Sequence, residues 1–293
     1  MPLFDERFTR IGAITDTIER FLAFIGEREA IRIRRAGGRL WPWTSDWVLQ
    51  TYRFCNIRRE DDRTTREIAA LWREPYKTNR DLWFGMAVAR YVNWVPTLKE
   101  LSWPVPWDAD RFLAVIKDRK RRGEKVESTA YKIRPDNRPG AAGQSKFVYV
   151  ARDVLTPLWQ NRKILRPRPG DRLGDFHAAL VKQEGLGSFM AAQIVADLKY
   201  VDPLREASDW WDFAASGPGS RAGLNRVLGR PADTTWTEPK WRRELERLSV
   251  KIAPDLEKAD VGRLHNQDLQ NALCEFARYE KLRLGEGIAR RYR

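Results

Sequence analysis

Residues 185–228 read GLGSFMAAQIVADLKYVDPLREASDWWDFAASGPGSRAGLNRVL, and this stretch decides the fold that we expect. It contains the tight turn Gly185-Leu186-Gly187 and a second glycine turn, Gly217-Pro218-Gly219-Ser220. A helical pattern follows each turn, so each turn should open a helix whose first N–H groups have no partner inside the helix. Such N–H groups bind anions, and the stretch therefore predicts two candidate anion sites.

The first turn has helical periodicity on both sides. Helix, Gly-hydrophobic-Gly, helix is the pattern of a helix–hairpin–helix, in which glycines without a Cβ let backbone N–H groups approach a DNA phosphate. We therefore predict such a motif near residues 173–200, with DNA contacts at Gly185, Gly187 and Ser188. Any pair of helices can turn on glycine, so the tripeptide alone does not establish the motif.

Composition points to a polyanionic partner. The chain has 293 residues, 42% of them hydrophobic, which is enough for a sizeable core in one large domain or two medium ones. Its formal net charge of +14 favours nucleic acid, with an anionic membrane surface as the weaker competitor. The basic helix end with Lys120, Arg121 and Arg122 suits a phosphate track, or simply the dipole of its own helix.

Other classes of protein are disfavoured by what the sequence lacks. No apolar run approaches the ~20 residues that cross a bilayer, and the residues after Met1 do not form a signal region. We expect an intracellular protein that does not contact a membrane. Two cysteines cannot supply four ligands to a zinc or iron–sulfur site, and neither histidine has a metal-ligand partner at a useful spacing. We predict no metal and no cofactor.

The N-terminal part is predicted to be a helix and a connector. Apolar side chains at spacings of three and four predict a helix over residues 12–27. The basic residues that follow predict a connector before Gly37-Gly38; they are Arg32, Arg34 and Arg35. We divide the chain into residues 1–44 and a helical DNA-modifying domain over residues 45–293, the two forming one compact body.

Two further features concern local structure. Residues 129–143 are rich in Pro, Gly, Asn and Ala, which predicts a long loop. Ser220 precedes an apolar period and is the predicted N-cap of a helix over residues 220–228.

Several sequence blocks in combination resemble one known family. They are Arg53-Phe54-Cys55-Asn56-Ile57-Arg58-Arg59 with Asp62-Arg63, Asn93-Trp94, Gly185-Leu186-Gly187-Ser188-Phe189-Met190-Ala191, Gly217-Pro218-Gly219-Ser220, and Asn271-Ala272-Leu273-Cys274-Glu275-Phe276 with Tyr279-Glu280. The chain resembles the alpha-glutamyl/putrescinyl thymine pyrophosphorylase group, which includes the amino acid:DNA transferases of bacteriophage thymidine hypermodification. The helical domain of this group is shared with 5-hydroxymethyluracil DNA kinases. The resemblance covers roughly residues 45–290 and implies a mainly α, helix–hairpin–helix DNA glycosylase-like fold.

The resemblance implies a transferase. Its substrate would be 5-(pyrophosphoryloxymethyl)uracil in double-stranded DNA, whose pyrophosphate is replaced by the amine of an amino acid or polyamine. The reaction would take place in the cytoplasm of a phage-infected bacterium. The kinase branch is disfavoured because the chain contains no Gly-x-x-x-x-Gly-Lys-Ser/Thr phosphate loop.

Two alternatives stay open. One is a DNA glycosylase that cuts the N-glycosidic bond of a modified base, and the other is a helix–hairpin–helix protein that binds DNA without chemistry. Bifunctional glycosylases carry a Schiff-base lysine two residues after the second glycine of the hairpin. This chain has Phe189 there, so lyase chemistry is not expected.

The implied reaction requires a site for the leaving pyrophosphate and a base. Cations and helix N-termini stabilise a departing anion, and the residues that we assign to this task are Gly217, Gly219, Ser220, Arg221, Arg58, Arg59 and Arg63. The incoming ammonium must lose a proton to a carboxylate. Asp209 and Asp212 lie at the distance beyond the hairpin at which related glycosylases carry an essential aspartate. Asp212 is preferred because it is closer to the second turn, although either aspartate could instead cap a helix.

The implied reaction also requires access to the base and a pocket for the amine. The base should leave the DNA stack, and the aromatic candidates for a wedge, each of which could instead pack in the core, are Phe189, Trp210 and Trp211. Asn271, Glu275 and Tyr279 recur every four residues and so share one helix face. This polar stripe is either the amino-acid pocket or a solvated face.

Overall fold

A computed structural model of the protein describes residues 11–128, 145–287 and 291. The described part is mainly α-helical, as predicted. The α-helices are α1 (Thr17–Ala36), α2 (Trp47–Thr51), α3 (Arg63–Ile68), α4 (Leu82–Val92), α5 (Val95–Leu101), α6 (Ala109–Arg121), α7 (Lys146–Val148), α8 (Thr156–Gln160), α9 (Arg162–Leu165), α10 (Leu173–Val181), α11 (Ser188–Leu198), α12 (Pro218–Val227), α13 (Glu238–Lys258) and α14 (Asn266–Arg283). Short 3-10 turns occupy Ile11–Ala13 and Arg59–Asp61, and π-helical turns occupy Ala69–Arg73 and Tyr149–Leu155. The loop predicted over residues 129–143 lies outside the described residues.

Within the described ranges, no helix combines the length and the apolar character that crossing a membrane requires.

The chain forms two compact units. The terminal unit comprises the chain up to Asp62 together with the chain from Trp211 onward, and the central unit runs from Arg63 to Trp210. The terminal unit is therefore discontinuous in sequence, and its edges do not coincide with the boundary that we placed after residue 44. The second glycine turn belongs to the terminal unit, whereas the hairpin belongs to the central unit.

The terminal unit is built on the close packing of α12 against α14. A Cβ atom added at Gly223 would lie 2.6 Å from the carbonyl carbon of Leu273, so the two helix backbones are in direct contact there. Helix α1 covers the pair with aromatic side chains, and the ring centroids of Phe21 and Phe276 are 5.1 Å apart. A Cβ atom added at Gly219 would lie 3.5 Å from the Cβ of Cys274, so the first turn of α12 also lies beside the middle of α14.

The connector predicted around residues 32–35 is wrong. Helix α1 continues to Ala36, and the three arginines lie in its last two turns. The continuation is stable because Ile31 is buried and acidic side chains one or two turns earlier pair with the arginines. Arg32 lies 2.6 Å from Glu29 and Arg34 lies 2.8 Å from Glu27.

The predicted N-cap of α12 is also wrong. Gly217 is the N-cap, and Ser220 is the third residue of the helix. The Ser220 hydroxyl accepts a hydrogen bond from the Gly217 N–H at 2.9 Å and donates to the Gly217 carbonyl at 3.1 Å. Ser220 therefore stabilises the turn from inside the helix, as the third residue of a capping box does.

The central unit is organised around α4, whose residues are all buried. Helix α4 packs against α11, and a buried ion pair joins the two helices. The Arg90 guanidinium donates two hydrogen bonds to the Asp197 carboxylate, with Nε 2.6 Å from Oδ2. Both side chains are 2% exposed, so this pair is part of the core of the unit.

Candidate functional site

Polar side chains of α14 hold the segment of residues 53–62 in the terminal unit. The Asn271 side-chain amide donates to the Asn56 carbonyl at 2.9 Å, and the Glu275 carboxylate accepts from the Cys55 N–H at 3.1 Å. From the other side, the buried Arg28 donates to the carbonyl of Cys55 at 3.0 Å. This segment contains no regular helix before Arg59, so side chains replace the missing backbone partners.

Tyr279, the third residue of the predicted stripe, lies in the core. Its hydroxyl donates to Asp46 at 2.7 Å, and its ring centroid lies 5.2 Å from that of Phe24. Burial and the Asp46 carboxylate raise the pKa of this phenol above its ordinary value. The three residues of the stripe therefore lie on one helix face, as predicted. In the structure their side chains form hydrogen bonds to other parts of the chain.

Two of the arginines assigned to pyrophosphate lie on the 53–62 segment. Arg58 donates to the Val261 carbonyl and lies 3.6 Å from Glu29. The Arg59 N–H donates to Asp268 at 3.0 Å. Arg63, the third, belongs to the central unit, where its exposed side chain pairs with Glu67.

Asp62, at the end of this segment, was not among the predicted site residues. Its Oδ1 accepts a hydrogen bond from the Asn56 N–H at 2.9 Å. Burial raises the pKa of the Asp62 carboxyl to about 6; Glu275 also raises it, while the Asn56 N–H, Arg59 and Arg28 lower it. The signal for it in the sequence is the Asp62-Arg63 block, one of the blocks that carry the family resemblance.

Asp212 is placed by the first residue of α14. The backbone N–H of Asn266 donates to the Trp211 carbonyl at 2.8 Å, and the side-chain amide of Asn266 donates to the Asp212 carbonyl at 2.9 Å. The Asp212 side chain itself is exposed. Helix α14 thus holds residues 211–212 at its start and residues 55–59 along its next turns.

The second glycine turn carries a charged cluster. Arg221 donates to the Ser216 hydroxyl at 2.7 Å and to Glu238 at 3.3 Å, and Arg242 donates to the same carboxylate at 3.2 Å. Burial opposes ionisation of Glu238, but hydrogen bonds from Ser216 and both arginines hold its pKa below the ordinary value. Arg221 therefore sits at the N-terminus of α12, as predicted, with an acidic partner already present.

Asp209 has a structural function in the central unit. Its carboxylate accepts hydrogen bonds from the N–H groups of Leu173 at 2.7 Å and Gly174 at 2.9 Å, which begin α10. This is the helix-capping alternative considered above. Asp209 and Asp212 belong to different compact units, and the catalytic role of each stays a prediction.

The hairpin joins α10 and α11 through residues 182–187. Gly185 has φ +75°, a conformation that favours glycine, and its carbonyl accepts a hydrogen bond from Tyr91 at 2.9 Å. Beside it lies an open cleft of about 600 Å³, whose lining includes Tyr149, Gly187 and Phe189. Phe189 is 52% exposed, as a residue that contacts DNA would have to be.

Acidic side chains pair with the arginines at the basic end of α6 and offset part of their positive charge. Arg121 pairs with Asp118, and Arg122 lies 2.8 Å from Glu100 and 2.9 Å from Glu124. The ammonium of Lys120 lies 4.9 Å from the ring centroid of Phe147. The predicted phosphate track therefore requires these arginines to exchange acidic partners for phosphates.

Comparison with known proteins identifies the family. Residues 15–287 match the family model described as 5-hmdU DNA kinase, helical domain. The chain belongs to this family. It is also 23% identical over 280 residues to a 5-hmdU DNA kinase of Bacillus phage SP10, an alignment that covers 86% of the chain and 43% of the relative. The chain thus spans less than half the length of this relative, and no solved structure matches it.

The match to the helical domain covers every candidate residue. It includes the 53–62 segment, the glycine turn and α14 of the terminal unit, as well as the hairpin of the central unit. The polar contacts described above are therefore contacts within the helical domain.

Proposed function

We propose that this helical domain protein acts in the hypermodification of thymidine in phage DNA. The reaction we assign is replacement of the pyrophosphate of 5-(pyrophosphoryloxymethyl)uracil by an amine. One observation carries the assignment: within one compact unit, α14 contacts the segment that carries Arg58 and Arg59, the backbone of Asp212 and the first turn of α12. An amine that arrives as an ammonium must lose a proton to a carboxylate before it can displace an anionic leaving group, and cations and helix N–H groups stabilise the departing charge.

Each group has a distinct task in this reaction. The amine nitrogen forms a bond to the exocyclic methylene carbon, and the C–O bond to pyrophosphate breaks with its electron pair leaving on oxygen. Arg221 and the first N–H groups of α12 stabilise the departing charge, with Arg58 and Arg59 as further cations. Arg221 must then exchange Glu238 for pyrophosphate. Asp212 is proposed to accept a proton from the reacting nitrogen.

We propose that the modified base is presented in double-stranded DNA. The net charge of +14 supports binding to a polyanion, and we propose that Gly185, Gly187 and Ser188 contact its backbone. The modified base leaves the stack to react, with exposed Phe189 as one candidate wedge. The co-substrate that supplies the amine is an amino acid or a polyamine.

A second candidate function is recognition of modified DNA without chemistry. The relative in phage SP10 favours this function, because that protein is a kinase and the alignment with this chain covers only 43% of its length. In that case the helical domain would deliver 5-hydroxymethyluracil DNA to a catalytic partner.

One experiment separates these functions and the glycosylase alternative. The protein is incubated with DNA that carries 5-(pyrophosphoryloxymethyl)uracil and with glycine, glutamate and putrescine, and the DNA is digested for nucleoside mass spectrometry. We expect a nucleoside with the mass of an amine adduct and release of pyrophosphate. An abasic site would instead identify a glycosylase. Unchanged DNA with salt-sensitive binding would identify a recognition domain.

Replacement of Arg221 by alanine should slow the reaction by about 100-fold, the usual effect of removing one group that stabilises a developing anion. DNA affinity should stay within a factor of about three, because one phosphate contact is a small part of a polyelectrolyte interface. Single-turnover rates and filter binding measure the two quantities. Arg242→Ala is the matched control, since Arg242 binds the same Glu238 carboxylate. Equal losses in both variants would mean that the effect arises from Glu238 and would remove Arg221 from the pyrophosphate site.

Replacement of Asp212 by asparagine should lower turnover by roughly 100-fold or more while DNA affinity is kept, because a base contributes to proton transfer and not to DNA binding. The side chain is exposed and only its backbone is held by Asn266, so folding should not change. Asp233→Asn, at another exposed aspartate of the terminal unit, is the control. Undiminished transfer by Asp212→Asn would remove this residue from the mechanism.

A further inference from the structure

We infer that Asp62 is the carboxylate that binds the incoming ammonium and takes its first proton. The inference rests on the proposed function and adds a residue that the sequence did not single out as catalytic. Asp212 then has a separate task, because the reaction of an ammonium releases two protons: one before the nitrogen attacks and one after the new C–N bond has formed.

The Asp62 carboxylate can accept further hydrogen bonds. Its side chain is half-buried at the end of the 53–62 segment. Among the residues that the structure describes, Oδ1 accepts one hydrogen bond, from the Asn56 N–H at 2.9 Å, and Oδ2 accepts none. An ionised carboxylate has about four acceptor positions. An ammonium group, with its three donors, fits the remaining ones.

The same segment is held rigidly, which a catalytic carboxylate requires. The Asn56 side chain donates to the Asp61 carbonyl at 2.8 Å, and Asn271 of α14 donates to the Asn56 carbonyl at 2.9 Å. The peptide group before Asp62 and the residue that donates to its carboxylate are therefore both held by side-chain hydrogen bonds.

Charged groups from three parts of the terminal unit act on the carboxylate. Arg59 lies on the segment itself, Arg28 comes from α1, and Glu275 comes from α14. Burial and Glu275 oppose ionisation of Asp62, whereas the Asn56 N–H, Arg59 and Arg28 favour it. The net result is a pKa of about 6. At neutral pH this carboxylate is ionised, yet it holds a proton more readily than an ordinary aspartate. Such a pKa suits proton transfer near pH 7.

The proposed step balances as follows. One N–H bond of the bound ammonium breaks, and its proton moves to Asp62 while the electron pair stays on nitrogen. That pair forms the C–N bond as the C–O bond to pyrophosphate breaks. The second N–H proton of the resulting secondary ammonium goes to Asp212. Asp62 returns its proton to solvent before the next turnover.

The test compares Asp62→Asn with Asp61→Asn in the full chain. The asparagine keeps an oxygen for the Asn56 N–H, so Asp62→Asn should fold; circular dichroism and DNA binding check this. Asp61 is the matched control because it is the adjacent carboxylate and pairs with Arg32 at 3.4 Å. Transfer is measured from pH 5 to 8 with the amine that the wild type uses among glycine, glutamate and putrescine, and also with methoxyamine, which is already uncharged at neutral pH.

We expect the wild-type rate to fall as the pH drops below about 6, since Asp62 is then protonated. Asp62→Asn should lose at least about 100-fold in transfer of the natural amine and recover most of it with methoxyamine, which needs no first proton acceptor. Asp61→Asn should behave as the wild type. A normal rate in Asp62→Asn, or an equal loss with both nucleophiles, would overturn the inference. A wild-type protein that transfers no amine would instead contradict the proposed function itself.

Discussion

Replacement of Gly223 by valine should unfold the terminal unit at temperatures where the wild type is stable. The first added atom would lie 2.6 Å from the carbonyl carbon of Leu273, so the clash is with the backbone of α14 and cannot be relieved by a change of rotamer. Overpacking of this kind costs about 3 kcal/mol, and separation of α12 from α14 would add lost burial to that cost. Urea unfolding followed by tryptophan fluorescence measures the change.

The control for this prediction is Gly26→Ala. Gly26 lies inside α1, and a Cβ atom there would have nothing within 4 Å. Alanine favours helix over glycine by about 1 kcal/mol, so this variant should be as stable as the wild type or more stable. A Gly223→Val protein with an unchanged unfolding midpoint would show that α12 and α14 do not pack as described.

Replacement of Asp197 by alanine should destabilise the central unit by about 3 to 5 kcal/mol. The change leaves the Arg90 guanidinium buried between α4 and α11 without its carboxylate, and both side chains are only 2% exposed in the wild type. Breaking one partner of a buried pair is costly because the remaining charge stays desolvated. Thermal unfolding and urea titration should both report the loss.

A double variant, Arg90→Leu with Asp197→Leu, should be more stable than Asp197→Ala because no charge is left unpaired. The exposed pair Arg63 and Glu67 is the matched control: Glu67→Ala should change the free energy of unfolding by no more than about 0.5 kcal/mol. Equal effects at the buried and exposed pairs would contradict the packing of α4 on α11.

Helix content was predictable from the sequence because apolar side chains recur at spacings of three and four. This held for α10 and α11, which lie within the motif predicted near residues 173–200, and for α12, predicted over residues 220–228 and observed over Pro218–Val227. The prediction failed at Arg32 and its neighbours, because a run of arginines reads as a connector until the acidic partners on earlier turns are known. Ser220 was misplaced for a similar reason, since a serine near a glycine turn suits both the N-cap and the third position of a helix.

The site was predictable only in part. Asn271, Glu275 and Tyr279 do share one helix face, as their spacing requires, and Arg221 does lie in the first turn of α12. Spacing could not show that Asn271 and Glu275 bind the 53–62 segment, which lies more than 200 residues away in the chain. It also could not distinguish Asp209, which caps α10, from Asp212, whose side chain is exposed.

The sequence by itself determined that the protein is mainly α-helical and basic and that a helix follows each of the two glycine turns. It also showed that several sequence blocks occur in a combination that resembles one family. These properties depend on local backbone preference and on composition. Only the tertiary structure decided that the chain forms a discontinuous terminal unit and a central unit, and that the predicted aspartates fall in different ones. It also decided that Asp62 is a half-buried carboxylate with a raised pKa. Burial and the charges of distant residues determine such a pKa, and neither quantity is present in the local sequence.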